Sequence, residues 1–319
     1  MTVPVINALA QQYPYTRITV LSRAWAKPIF KLLPPNVHFL AVDFDGKYKG
    51  FSGLNLLCRK LMALRITHVA DLHDVLRTKW LRIRLKITGK HVAHINKNRK
   101  ARKEFIKAAD KKAQKTTFAK YAEVFARLGY PIAEEALTKP VHIVEAEASK
   151  HPQCIAIAPF AAHTGKIYPL ELMEQVVKGL SESEDVQVYL FGAGATESAT
   201  LEQWEQKYPN VKSLAGKLQN MAEELEVIAR CRVMISMDSA NMHLASLAGV
   251  PVVSVWGATH PLGGFFGYSQ DLSDAVQRTD LNCRPCSTYG QKPCIYGDYR
   301  CMTGILPQTI ITAAKRHLQ

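Results

Sequence analysis

The sequence predicts an α/β protein of two domains, each built on a parallel sheet, and three observations carry that expectation. The carboxyl half alternates short apolar runs with helical stretches, the rhythm of βα units. Most of those runs lead into loops rich in Gly or small polar residues, where such sheets bind their ligands. The chain has 319 residues, enough for two separate cores. The expected boundaries are an amino-terminal domain over 1–148, a carboxyl-terminal domain over 149–305 and a closing helix over 306–319.

Taken in order, residues 2–9 read as a helix with Pro4 in its first turn, ended by Tyr13-Pro14. Residues 17–21 follow as a strand with Ile18 and Val20 on one face. Further strands are expected over 37–42, 67–72 and 90–95, with helices over 54–64 and 117–128, so this half is α/β as well. No strand precedes the first helix, although the opening strand of a doubly wound sheet is commonly central. Residues 131–150 are acidic, Ala-rich and irregular and read as a linker. Strands over 154–158, 186–191, 211–214, 233–236 and 252–256 then alternate with helices beginning near Pro169, Glu197, Met221 and Ser239. That pattern predicts a five-stranded Rossmann-like domain.

Composition is that of a soluble globular protein, 47% hydrophobic and 21% charged, with no apolar run long enough to span a bilayer. Residues 1–10 lack the basic flank and apolar centre of a signal peptide, which predicts a cytoplasmic protein. The net charge of +14 is concentrated. Between Arg77 and Lys120 stand sixteen Lys or Arg against only Glu104 and Asp110, and the remainder is balanced. Within this basic insertion, residues 77–86 interleave Arg77, Lys79, Arg82, Arg84 and Lys86 with Trp80, Leu81, Ile83 and Leu85. Three readings stand: a solvated face, a patch for an anionic acceptor or peripheral membrane surface, or a nucleic-acid surface, the last without any recognition motif. Residues 97–115 are polar enough for a mobile loop or a solvated helix.

The most informative stretch is 233–257, a strand, a sharp turn at Asp238-Ser239, a short helix ending at Gly249, and a second strand. Asp238 and Ser239 are both N-cap residue types, and Gly249 followed by Pro251 ends the helix. A helix starting beyond the carboxyl end of a parallel strand directs N–H groups and a positive dipole end toward an anion, most simply a phosphate, and His243 lies one turn inside. The bland alternative is a capped helix with a core histidine. Loops after the other strands would bring Lys166 and Glu197 to the same crevice. Taken alone, Lys166 reads as a surface lysine and Glu197 as a first-turn acid; together the set suits a nucleotide diphosphate, with Lys166 and the helix end on phosphate oxygens and Glu197 on ribose hydroxyls.

These residues resemble the ADP-heptose:lipopolysaccharide heptosyltransferases of glycosyltransferase family 9. Residues 238–245, Gly249-Val250-Pro251 and residues 256–261 are similar to the signature D-[ST]-G-x-x-H-x-A…G-x-P…G-x-T-x-P, and Lys166-Ile167-Tyr168-Pro169 to K-x-W-P. Ala240 stands where the signature has Gly, and Tyr168 where it has Trp. Asp71-Leu72-His73 with Arg77-Thr78 is similar to a phrase of the acceptor-side domain. The resemblance implies the GT-B class, two facing Rossmann-like domains, and an inverting transfer of heptose or a related sugar from an ADP-sugar to inner-core lipopolysaccharide. It places Lys166, Glu197, Asp238, Ser239, Ala240 and His243 around the donor and the basic residues on the acceptor side. The family's first strand and the Gly-Asp turn carrying its general base have no counterpart ahead of residues 2–9, so either the start is truncated or a donor-binding protein remains without transfer. Truncation is the favoured expectation. No cofactor is expected, since Lys166 and the helix end carry the diphosphate.

Four of seven cysteines cluster as Cys283, Cys286, Cys294 and Cys301. A structural zinc site, free thiols packed as small apolar groups, and disulfides are all open readings.

Overall fold

The computed structural model describes residues 1–138 and 153–318. Compact units divide the chain: Met1–Asn98 with Lys115–Lys139, and Arg99–Gln114 with Pro140–Gln319. The expected boundary near residue 148 and most of the expected linker lie outside the described residues. The basic insertion is not one body. Residues 99–114 cluster with the carboxyl unit, against the expectation that all of 77–120 belongs to the amino-terminal domain.

The amino unit runs α1 (Val3–Gln12), β1 (Ile18–Ser22), α2 (Lys27–Phe30), β2 (Val37–Ala41), α3 (Gly50–Ala63), β3 (His68–Asp71), α4 (Leu76–Ile87) and β4 (His91–His94). After α5 (Arg99–Lys107), which packs with the other unit, come α6 (Thr117–Ala126) and α7 (Glu134–Thr138). Its strands form two separate parallel ladders, β1 with β2 and β3 with β4. An apolar cluster of this unit joins Leu54, Leu57 and Leu61 of α3 to Leu81 and Leu85 of α4. The basic-apolar stretch 77–86 is therefore helical: Leu81 and Leu85, four apart, share its inner face.

The carboxyl unit follows the expected alternation closely. It runs β5 (Gln153–Ala158), α8 (Leu170–Ser181), β6 (Val186–Leu190), α9 (Gly194–Lys207), β7 (Val211–Ser213), α10 (Met221–Ala229), β8 (Val233–Met237), α11 (Ala240–Leu247), β9 (Val252–Trp256), β10 (Ala275–Gln277), α12 (Arg300–Thr303) and α13 (Pro307–Lys315). The sheet is parallel with order β10-β9-β8-β5-β6-β7, six strands rather than the expected five. β10 escapes a periodicity reading because it is three residues long with Val276 its only large apolar side chain. Ile157 of β5 aligns with Leu190 on one side and Ile235 on the other, and all three are fully buried. Helix α13 closes the core by packing Ile310, Ile311 and Ala314 with α8. Among the described residues no helix is long and apolar enough to cross a membrane.

Candidate functional site

The strand order of the carboxyl unit reverses between β5 and β8. Connections from β5 run outward through β6 and β7, then return to β8, so the loops after β5 and β8 leave the sheet on either side of one crevice. A cleft of about 570 Å³ lies there, within the range usual for small-molecule sites. Its lining includes Lys166 from the β5 loop, Gly192 and Glu197 from the β6 loop and α9, and Asp238, Ser239, Ala240 and His243 from the β8 loop and α11. All six residues expected around a donor therefore share one cavity.

The centre of the cleft is an ion pair. Lys166 Nζ stands 3.0 Å from Asp238 Oδ2, with only 14% and 10% of the two side chains exposed. The loop bearing Lys166 is fixed from below: the buried Tyr168 donates its hydroxyl to the Ile305 carbonyl at 2.7 Å, and burial raises its phenol to about 12. From the side, the Gly165 carbonyl accepts from the Ala258 N–H at 2.8 Å. Tyr168 thus fills the Trp position of the motif as a wedge with a satisfied polar end.

Helix α11 is built to end in space. Ser239 is its N-cap in extended backbone, φ −140° and ψ −178°, and its hydroxyl sits 3.1 Å from Ser236 Oγ rather than capping its own helix. Ser239 thus holds the N-cap position read from sequence without a side-chain cap hydrogen bond, while the Asp238 carboxylate pairs with Lys166. The first N–H groups of any helix lack intrahelical partners, so this end is a place for an anion. At the other end Gly249 takes φ +70°, and the Val250 N–H returns to the Ala245 carbonyl at 3.0 Å, the glycine termination read from sequence. Ala240 has no positive φ, so a Cβ is accommodated where the signature carries Gly. Burial pushes the His243 imidazole down to about 3, with Lys166 adding to the effect, so the ring is neutral at physiological pH.

Glu197 Oε2 accepts the Ala193 N–H at 2.7 Å, which shapes the β6 loop, and the residue lines the cleft. The Gly192 backbone packs so close that a Cβ there would lie 3.2 Å from this carboxylate.

Several cleft residues were not singled out in the sequence. Glu224, on the first turn of α10, lines the cavity with its acidity weakened by burial. Phe265 and Tyr289 form an aromatic wall. Arg102 of α5 stands over the Phe265 ring at 4.8 Å and donates to the Tyr289 hydroxyl at 2.8 Å, so the second basic stretch buttresses the cleft. Of that stretch, residues 99–107 form the helix, with most of its side chains exposed and Phe105 as its buried anchor, which is the solvated-helix alternative rather than the mobile loop. Gly290, next to Tyr289, has φ +78°, and a Cβ there would meet the Lys166 stem at 2.6 Å. The Tyr289-Gly290 pair was the available signal, an aromatic beside a turn glycine.

The cysteine segment carries this wall. Among the described residues no three of His, Cys, Asp and Glu converge to hold a metal ion; Cys286 Sγ faces the Cys283 carbonyl at 3.4 Å and Cys294 Sγ faces Asp298 at 3.9 Å. All four thiols are free. The segment is organised by Arg284, 3% exposed, which donates to the carbonyls of Trp256, Gly257, Thr259 and Arg278 and to Gln277 Oε1 at 2.6–3.0 Å.

In the amino unit, the five cations expected on an acceptor surface divide. Arg82 turns inward, 3.2 Å from both Asp71 Oδ2 and Asp74 Oδ1, and Arg77 lies over the Phe44 ring at 4.5 Å. Lys79, Arg84 and Lys86 point to solvent. Asp71 Oδ1 accepts from the His73 and Asp74 N–H groups at 2.9 Å, and Lys97 Nζ donates to the Asp74 carbonyl at 3.2 Å. The motif Asp71–Arg77 is thus a built turn at the carboxyl end of β3, with Arg77 and the neighbouring Arg82 committed to structure.

Residues 56–296 match the family model described as glycosyltransferase family 9 (heptosyltransferase). The chain is similar to lipooligosaccharide heptosyltransferase 2 of Campylobacter jejuni, 28% identical over 164 residues, which are 49% of this chain and 48% of that protein. The match thus spans about half the length of that curated relative. Among solved structures, a family 9 glycosyltransferase from Veillonella parvula aligns with TM-score 0.74 and 19% identity, covering 99% of this chain and 92% of that one. The Escherichia coli ADP-heptose lipopolysaccharide heptosyltransferase II aligns with TM-score 0.69 and 17% identity, covering 99% and 94%. At such identity the likeness shows the shared α/β fold of parallel sheets, that of GT-B glycosyltransferases.

Proposed function

The chain belongs to glycosyltransferase family 9, the heptosyltransferases, and on that premise we propose that its carboxyl unit binds an ADP-sugar, ADP-heptose first among them, and that the protein transfers the sugar to an anionic lipid-linked glycan such as inner-core lipopolysaccharide. The observation that carries this reading is the Lys166–Asp238 pair set beside the open end of α11 in one cleft. Lys166 and the α11 N–H groups take the diphosphate. Asp238, which orients Lys166, takes sugar hydroxyls; Glu197 takes the ribose, and Phe265 with Tyr289 flanks the base. The neutral His243 ring offers a hydrogen bond without a charge that would have to be desolvated.

Inversion proceeds by a single displacement at the anomeric carbon. Such a displacement needs a base to take the acceptor proton; as the acceptor oxygen bonds to the anomeric carbon, the glycosidic bond to phosphate breaks and negative charge grows on the departing diphosphate. Fixed dipoles and Lys166 stabilise that charge as it develops, which lowers the barrier more than it tightens the ground state. The role asked of Lys166 and the helix end needs no metal, and transfer is expected to be insensitive to chelator.

Calorimetric titration of ADP and ADP-heptose tests the donor site. Lys166→Ala and Asp238→Ala should each weaken ADP binding, the former by about tenfold or more. A folded chain that binds neither ligand would sink the donor reading. Release of ADP from ADP-heptose in the presence of a heptose-deficient inner-core acceptor then separates a transferase from a protein that binds the donor without transfer.

A further inference from the structure

Helix α4 is apolar on two opposite faces. Leu81 and Leu85 are buried with α3. On the other side Leu76, Ile83 and Ile87 are 84%, 57% and 77% exposed. At about 100° per residue these three fall within roughly 40° of one another, so they form one line along the helix. A core-facing helix in water needs a single stripe. The second stripe is bordered by Lys79 and Lys86 on one flank and Arg84 on the other, all exposed, and α4 contains no acidic residue. Its two other cations, Arg77 and Arg82, are held inside the unit. Phe51, at the start of α3 and 69% exposed, sets its ring edge-on to Trp80 at 5.2 Å and widens the apolar line.

We infer that this face of α4 docks the protein on an anionic bilayer, with Leu76, Ile83 and Ile87 entering the boundary between headgroups and acyl chains while Lys79, Arg84 and Lys86 pair with lipid phosphates. Charge complementarity selects that occupant. A line of aliphatic side chains fenced by cations matches a surface that is apolar beneath and anionic above. The inference rests on the reading that the acceptor is lipid-linked, and it separates docking from acceptor recognition: outward cations meet lipid, whereas the inward pair shapes the turn at Asp71.

Flotation with vesicles tests it, using phosphatidylcholine alone or with about a third phosphatidylglycerol. The unaltered chain should float with the anionic vesicles and stay behind with the neutral ones. Ile83→Glu with Ile87→Glu should reduce partitioning by more than about tenfold, and Lys79→Gln, Arg84→Gln and Lys86→Gln by about fivefold for each charge removed. All five positions are exposed, so circular dichroism and ADP titration should be unchanged. That control keeps a failure here distinct from a failure of the donor site. The inference is overturned if the unaltered chain ignores anionic vesicles or if the double Glu variant floats equally well. It is also overturned if the stripe proves to join two copies, seen as a dimer that the double Glu variant dissociates and that does not float.

Discussion

Lys166 and Asp238 serve two ends at once, and the two can be separated. An ion pair so little exposed stabilises only while both partners remain, since removing one leaves the other buried and uncompensated. Lys166→Met should therefore destabilise the carboxyl unit by about 3 kcal/mol in urea unfolding, and Asp238→Leu added to it should restore most of that loss. ADP binding should remain lost in the double variant. Recovery of binding together with stability would mean that the pair is structural only. The two histidines make a second residue-scale prediction. Burial holds His243 at about 3 and His260 at about 4, the latter also facing Arg284 and Lys111 and accepting the Leu262 N–H on Nδ1 at 3.1 Å. Unfolded histidine titrates near 6.5, so the unfolded chain binds the extra protons. Their contribution to stability is full above about pH 6.5 and is lost as pH falls through that value toward the folded ones. The thermal midpoint should drop between pH 7 and 4, and His243→Gln with His260→Asn should flatten that drop relative to the unaltered chain.

At the scale of elements, what the sequence made legible was what local pattern encodes. β5, β8 and β9 are continuous apolar runs because they are buried on both faces, and the Asp238–Gly249 segment carries its own start and stop. The cleft's second wall was not legible, because its logic is long-range. Arg284 sits in the cysteine segment, and its donors satisfy carbonyls from Trp256 to Arg278 that no spacing rule connects. Replacing it strands several buried acceptors together. Arg284→Leu should cost about 3 kcal/mol or more, measured as a lowered urea midpoint, and should weaken ADP binding because Tyr289 loses its support. Gly290→Ala tests the same wall more gently. Its φ of +78° and the contact with the Lys166 stem predict weaker ADP binding, whereas a substitution at Gly297, also left-handed but with open space around it, should disturb the fold locally and leave ADP binding intact.

For the whole molecule, the sequence suggested two domains divided once, and among the described residues the chain also crosses from one unit to the other and back, at residues 98–99 and 114–115. Composition concealed this. Residues 97–115 are mostly polar, and the features that tie them to the carboxyl unit are two side chains and one backbone group: Phe105 edge-on to His260, Arg102 on Phe265 and Tyr289, and the Gln114 N–H on the Leu262 carbonyl. One buried aromatic in a basic helix leaves too weak a periodic signal to show which core it joins. The consequence is thermodynamic. Each unit has its own apolar clusters, and among the described residues the cleft lining belongs to the carboxyl unit. Calorimetry should therefore resolve two unfolding transitions rather than one. ADP at about a hundred times its dissociation constant adds about 2.7 kcal/mol to the unit that binds it, a rise of about 5–10 °C for a body of that size. Only one transition should move, and Arg102→Ala should reduce its shift, because α5 supports the cleft wall while belonging in sequence to the other half. If both transitions rise together, donor binding draws on the amino unit as well and the cleft described here is only part of the site.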